Sequence, residues 1–295
     1  MRGTAPLKRI RRAADTRSMR TGCATALCAC LLVSARAEAQ FRVSEPAAGE
    51  DFHVEMGLML WTPAPELKIQ TGALAALGQP PVDFVQEFAI ENTRFNEFRG
   101  VIKAGRKHKL RISHVNISYD EAATLERQIS FGGTTFPVSV PATAELQWET
   151  WRLGYEWDFV AAPRGVLGLV TEVKFNKVSA ILTAQGYGTS VTDVSAPIPA
   201  IGFTARVYPH RLFSITTEFT GFKVPGFVGS KITDAIQGDD FDAKEYDLDL
   251  YGTISFTRYL GAQVGYRRLT ANYLIDPDAG DLKMSGTYFG GMIRF

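Results

Sequence analysis

The chain has 295 residues, 45% hydrophobic and 11% aromatic, and its Lys+Arg total of 32 nearly cancels its Asp+Glu total of 31. That balance excludes the basic excess a nucleic-acid binder needs to neutralise phosphates. Mean hydropathy is −0.04 and no run of about 18 apolar residues occurs, which argues against a membrane-spanning helix; a β-barrel, alternating apolar and polar residues, escapes that test.

The N-terminus reads as a targeting segment. Basic residues from Arg2 to Arg20 precede a modest apolar stretch, Ala24 to Ala35, and then small residues in an A-x-A pattern at Ala35–Ala37 or Ala37–Ala39. This predicts a signal peptide over 1–39, cleaved before Gln40, with Met1 or Met19 as the start. All three cysteines, Cys23, Cys28 and Cys30, fall inside it. The mature chain is therefore expected to hold no disulfide and no thiolate. Residues 40–51 read as a periplasmic lead-in, and 52–295 as one barrel.

Alternation at period two marks the strands. The first runs over 52–61, with Phe52, Val54, Met56, Leu58 and Leu60 on one face and Pro63 and Pro65 ending it. A long connection leads to a strand over 93–103 and a basic turn at Ala104–Lys107. In the next, 108–119, the apolar phase shifts from Leu110 and Ile112 to Val115, Ile117 and Tyr119. A β-bulge near Ser113–His114 would produce that shift. Residues 120–143 are a second long connection with room for an extra strand pair. The fourth strand places Trp151, Leu153, Tyr155, Trp157 and Phe159 opposite Arg152, Gly154, Glu156 and Asp158. Five large apolar groups against a charged face fit a wall between lipid and a polar lumen.

Further strands are predicted over 166–182, 201–207, from 212 and over 246–256, with a Gly/Ser/Thr-rich loop to Ser195 and an acidic loop over 225–242. The ninth, 262–275, shifts phase at Arg267–Arg268, a second expected bulge. The tenth closes at Phe295. Short and longer connections alternate, the pattern of periplasmic turns and extracellular loops. The fold class is thus an all-β transmembrane antiparallel up-and-down barrel of ten strands, with eight or twelve as alternatives. It is placed in the bacterial outer membrane with both termini periplasmic.

The inward face of this register is charged. Glu55, Glu156, Asp158, Glu172, Glu218, Asp247 and Asp249 face Arg99, Arg111, Arg152, Lys174, Arg206, Arg267 and Arg294. A narrow barrel fills its interior with side chains, so these residues predict an ion-pair network that plugs the lumen. The alternative is a narrow channel for small polar solutes, and balanced signs argue against marked ion selectivity. Asp247 and Asp249, roughly 7 Å apart along one strand, suit salt bridges better than a metal. No nucleotide or metal motif is present; no cofactor, metal or catalytic residue is assigned, and the chain is read as a non-enzyme.

Two resemblances bear on this reading. The final strand, with Phe289, Gly291, Ile293 and Phe295 at alternate positions, resembles the closing strand of bacterial outer-membrane barrels, which implies an assembly signal read by the barrel-assembly machinery. The stretches VDFVQEFAIENTRFNEFRG, RKHKLRISHVNISYDEAATL and WRLGYEWDF, with PIPAIG and EFTGFK, are similar to a porin-like family of outer-membrane β-barrel proteins. That similarity implies the fold, with outer-membrane lipid and lipopolysaccharide as surroundings, and implies no activity. His114, Asn116 and Ser118 loosely resemble the His–Ser arrangement of lipid A deacylases. That is the hydrolase alternative, but four residues of strand separate His114 from Ser118 by roughly 13 Å. Omptin-type proteases share ten strands, yet His53, His108 and His210 fall at the predicted periplasmic end.

Overall fold

The computed structural model describes residues 47–70, 80–131, 134–223, 241–275 and 278–295, with Gly72 and Gly78. The expected signal peptide, most of the lead-in and most of the acidic loop lie outside the described residues, as do Leu74 and Leu77, which suggest a weak helical patch in the first long connection, and Asp276 and Pro277, which begin a turn-forming run before the last strand.

The strands are β1 (Val54–Gln70), β2 (Val82–Asp83), β3 (Phe95–Gly105), β4 (His108–Thr124), β5 (Ile129–Phe131), β6 (Thr134–Phe136) and β7 (Pro141–Ala162), then β8 (Gly165–Ala184), β9 (Gly188–His210), β10 (Phe213–Lys223), β11 (Phe241–Ser255), β12 (Leu260–Ile275) and β13 (Asp278–Arg294). A single helical turn, α1 (Phe84–Glu87), follows β2. Ten strands pair antiparallel in the order β1-β3-β4-β7-β8-β9-β10-β11-β12-β13, and β13 returns to β1. The closing ladder runs from Glu55↔Arg294 to Gln70↔Ala279. Closure bonds every strand on both sides over the shared span, as a wall in lipid requires. The end carrying Glu50 and Phe295 is called basal here, and the opposite end distal.

Several strands run further than alternation suggested. β1 passes through Pro63 and Pro65, which pair with Gly286 and Met284 of β13. On its other side β1 pairs with β3 only up to Trp61↔Phe95. A residue without an N–H is tolerated where the strand has one neighbour. The expected loop to Ser195 is instead a long hairpin. β8 and β9 pair from Ala184↔Gly188 downward, and the turn uses positive φ at Gly186 (85°) and Gly188 (91°). Residues 120–143 hold the end of β4 and the small hairpin β5–β6. Two glycines let neighbouring strands approach closely: a Cβ on Gly202 would lie 1.8 Å from the Phe219 carbonyl oxygen, and one on Gly286 2.0 Å from that of Thr62.

The two expected bulges are absent. β4 pairs with β7 without a break from His108↔Trp157 to Thr124↔Pro141, and β12 pairs with β13 without a break through Arg267↔Gly286 and Arg268↔Ser285. The apolar phase shifts because the surroundings change, not because a residue is inserted. On β7 the outward residues Trp151, Leu153, Trp157 and Phe159 are exposed apolar groups. Beyond them the outward row becomes Glu149, Gln147, Glu145 and Thr143. The inward row inverts in step, from Arg152, Glu156 and Asp158 to buried Trp148, Leu146, Ala144 and Ala142. β4 does the same, from inward Lys109 and Arg111 to inward Val115, Ile117 and Tyr119.

The barrel therefore has two storeys. The basal one is apolar outside and charged inside, the signature of a wall in lipid. The distal one is polar outside and apolar inside, like a protein in water. Its core joins the inward residues of β4, β7 and β8 to Phe84, Phe88, Leu125, Ile129, Phe131 and Phe136 from the loops. Phe84 meets Phe131 edge to face at 5.6 Å. Burying each such side chain contributes about 1.5–3 kcal/mol.

Candidate functional site

The chemistry of this chain concentrates in the basal lumen. Period-two alternation turns every second residue of each strand inward, so charges far apart in sequence converge. Asp247 on β11 is the hub. Arg152 of β7 reaches it at 2.6 Å and Arg267 of β12 at 2.8 Å, with Lys174 of β8 at 3.8 Å. Arg267 also pairs with Glu97 at 2.9 Å, and its guanidinium lies 5.0 Å from the Trp61 ring centroid. Lys174 pairs with Glu245 at 2.8 Å and with Glu172 at 3.5 Å. Arg99 bridges Glu97 at 3.0 Å and Asp249 at 2.9 Å, and the Tyr288 hydroxyl donates to Asp249 at 2.8 Å.

Nearer the base, Arg111 pairs with Glu156 at 3.1 Å and with Glu218. Tyr251 donates its hydroxyl to Glu218 at 2.6 Å. Lys109 pairs with Glu156 at 3.1 Å and Asp158 at 2.9 Å. Arg294 pairs with Glu55 and donates to the Ser255 hydroxyl at 2.8 Å. Arg206 pairs with Glu50 at 2.6 Å. Between these groups lies a cavity of about 90 Å3 lined by Arg99, Arg111, Arg152, Glu156, Glu218 and Asp247. It holds a few waters at most.

Four charged groups among these ion pairs were absent from the sequence reading: Glu97, Lys109, Glu245 and Glu50. The first three sit two residues before Arg99, Arg111 and Asp247, so strand parity alone would have placed them inward. Nothing in the sequence marks Glu50, which lies before the first strand and reaches the lumen from a short 3-10 turn, Ala48–Glu50. Asp247 and Asp249 each engage cations rather than one another, and among the described residues no group of three His, Cys, Asp or Glu is arranged to hold a metal.

His114, Asn116 and Ser118 face outward at the boundary between the storeys. The His114 Nε2 lies 3.1 Å from Glu149 Oε1, and its ring packs on Trp151 with centroids 4.2 Å apart. The Trp151 indole donates to the same Glu149 oxygen at 3.2 Å. An acidic partner for the histidine is thus present; the two residues whose hydrogen bonds are seen with it or around it are Glu149 and Trp151, and Ser118 is not one of them. Of the remaining histidines, His108 bonds the Tyr155 hydroxyl at 2.6 Å at the basal end.

A closed antiparallel barrel with an outward apolar band and an inward charged face defines the outer-membrane β-barrel fold. In structure the chain is similar to the outer membrane protease OmpT of Escherichia coli, with a TM-score of 0.52 at 11% identity over 83% of this chain and 97% of that one. It also matches Ail, the attachment invasion locus protein of Yersinia pestis, at a TM-score of 0.36 and 10% identity, covering 82% of this chain and 99% of that one. The toluene transporter TodX of Pseudomonas putida matches at 0.34 and 8%, covering 86% and 93%. At such identities the likeness to OmpT shows the fold alone. No protein-family model matches the chain, and no curated protein matches it.

Proposed function

We propose that this chain is an integral outer-membrane barrel, basal end in the periplasm, whose lumen is shut and whose role is structural or in surface contacts made by the distal storey. The observation that carries this reading is the inversion of the inward face. A water-filled pathway would need polar walls throughout, whereas the distal interior is packed with Phe84, Phe88, Phe136, Leu146 and Trp148. Below it, opposite charges meet across the lumen. The outward row at the storey boundary, with Trp151 and His114, suits the headgroup region of outer-membrane lipid and lipopolysaccharide.

Planar-bilayer recording on the purified, folded protein tests the closure. The expected result is no stepwise conductance. Reproducible unitary currents would replace the closed barrel with the narrow-channel reading.

The same proposal gives Phe289, Gly291, Ile293 and Phe295 a role in assembly. Phe289, Ile293 and Phe295 are exposed on the outer wall, and the Phe295 backbone closes the cylinder by accepting from His53 and Val54 at 2.6 and 3.0 Å. Deleting Phe295 is expected to slow insertion by the assembly machinery several-fold while leaving inserted barrels nearly as heat-resistant as the parent. Pulse-chase insertion in cells, read by heat-modified gel mobility, separates the two; unchanged insertion removes the role.

A further inference from the structure

We propose that the basal mouth holds a carboxylate-binding site, built by Arg206, Tyr208, Lys103 and Lys109 and occupied by Glu50 of the chain's own lead-in. Four donors from three strands converge on one carboxylate. Glu50 Oε1 accepts from Arg206 Nη1 at 2.6 Å and from the Tyr208 hydroxyl at 2.7 Å. Its Oε2 lies 3.0 Å from Lys103 Nζ and 3.5 Å from Lys109 Nζ. Burial alone would raise the Glu50 carboxyl, but Arg206, Lys109 and Lys103 hold it well below the usual carboxylate range, so the occupant is an anion.

Arg206 and Lys109 are positioned by the wall as well as by Glu50, whereas the Lys103 ammonium is held by Glu50 itself, through its carbonyl at 2.6 Å and its Oε2 at 3.0 Å. Arg206 Nε donates to the Thr216 hydroxyl at 3.2 Å. Lys109 is held by Glu156 and Asp158, and Lys103 sits on β3 with its backbone N–H bonded to the His53 carbonyl at 2.7 Å. Glu50 stands on a three-residue turn closed by one backbone bond, its N–H to the Ala47 carbonyl at 2.9 Å, and its own carbonyl accepts from Lys103 Nζ at 2.6 Å. The turn leans on the Tyr208 ring through Gly49, where a Cβ would lie 3.0 Å from the ring edge. The first ladder-like anchor after it is His53, bonded to the Phe295 carbonyl. A preorganised set of charged donors binds an anion more strongly than neutral ones.

The ligand class follows from the charges nearby. Glu156 and Asp158 lie beneath the site and share Lys109 with it, so a second negative charge would be repelled. The site therefore suits a monoanionic carboxylate, including an acidic side chain of another polypeptide, over a phosphate dianion. The inference stands whether or not the lumen conducts, because the site occupies one mouth only.

The test uses the full chain with Glu50→Ala, folded in detergent, and acetate as the probe. Calorimetry should show one acetate site in Glu50→Ala and at least tenfold weaker binding in the parent. The unfolding midpoint of the variant should rise with sodium acetate and not with sodium chloride at equal ionic strength, and inorganic phosphate should act more weakly than acetate. Adding Arg206→Met should abolish the acetate effect. If Glu50→Ala folds only with added anion, recovery in acetate but not in chloride supports the site. Equal responses to acetate and chloride, or no acetate binding to the variant, overturn it.

Discussion

Leu153→Arg is expected to cost the folded barrel about 1–2 kcal/mol, between the roughly 2–4 kcal/mol for an arginine at the bilayer midplane and the roughly 0–1 kcal/mol near the headgroups, because Leu153 lies on the lipid face two residues below Trp151. Gln147→Arg, on the same outward face of β7, should change stability by less than about 0.5 kcal/mol, as an ordinary surface substitution does. Both residues are exposed to whatever surrounds the barrel, so the difference measures the surroundings rather than the packing. Between them lie Glu149 and Trp151, where the outward row passes from polar to apolar. Urea unfolding of both variants in phosphatidylcholine vesicles provides the measurement. Equal losses at the two positions would remove the boundary from β7 and, with it, the two-storey architecture.

The second large effect lies inside. Asp247→Ala removes the carboxylate shared by Arg152, Arg267 and Lys174, leaving buried cations short of a counter-charge. Breaking a buried pair in this way costs about 3–5 kcal/mol. The loss should be partly relieved by Arg152→Met, because Arg152 pairs with Asp247 at 2.6 Å, whereas Lys174 keeps Glu245 at 2.8 Å. A double-mutant cycle on urea midpoints reads the coupling. An Asp247→Ala barrel as stable as the parent would mean that the remaining carboxylates, Glu97, Glu172 and Glu245, neutralise the cluster without it.

These two sites also show what could be read from the residues alone. The fold was legible wherever one alternation phase persisted through a strand, as in Trp151–Phe159 or Tyr246–Ser255. It was misread at Ser113–His114 and Arg267–Arg268, where the phase flips. Such a flip has two physical causes: an inserted residue, or a change in what each face meets. Only the unbroken ladders of β4 and β12 distinguish them. A signal was available on β7, where Thr143, Glu145, Gln147 and Glu149 alternate with Ala142, Ala144, Leu146 and Trp148 in the opposite sense to the residues after them. The inward-facing charges were legible by parity. Which charge meets which was not, because Arg267 and Glu97, or Arg206 and Glu50, are joined only by closure of the cylinder. The end of the first strand was misplaced for a similar reason. Proline is excluded from a strand with two neighbours, and β3 stops short enough to leave Pro63 and Pro65 with one.

That early stop of β3 has a mechanical consequence. Distal to Phe95, the side of β1 away from β13 has no strand beside it until β2 meets Lys68 and Ile69, and β4 beyond Val115 is bonded only to β7. The space between them is filled by the segment carrying Phe84, Phe88 and Ile90, with Phe95 against the Tyr119 ring at 5.3 Å. Between β4 and β7, β12 and β13, and β13 and β1 the wall is fastened by unbroken backbone ladders; here it is closed by side chains pressed together, and Tyr119 contributes a buried hydroxyl with no hydrogen-bond partner among the described residues. Swinging that segment aside would break apolar contacts and the Arg127–Glu87 ion pair but few backbone bonds, so amide exchange along residues 84–94 should be the fastest of any buried stretch in the wall. Distal to the apolar band, the cylinder thus has a side panel whose release would not unzip any of the ten wall strands.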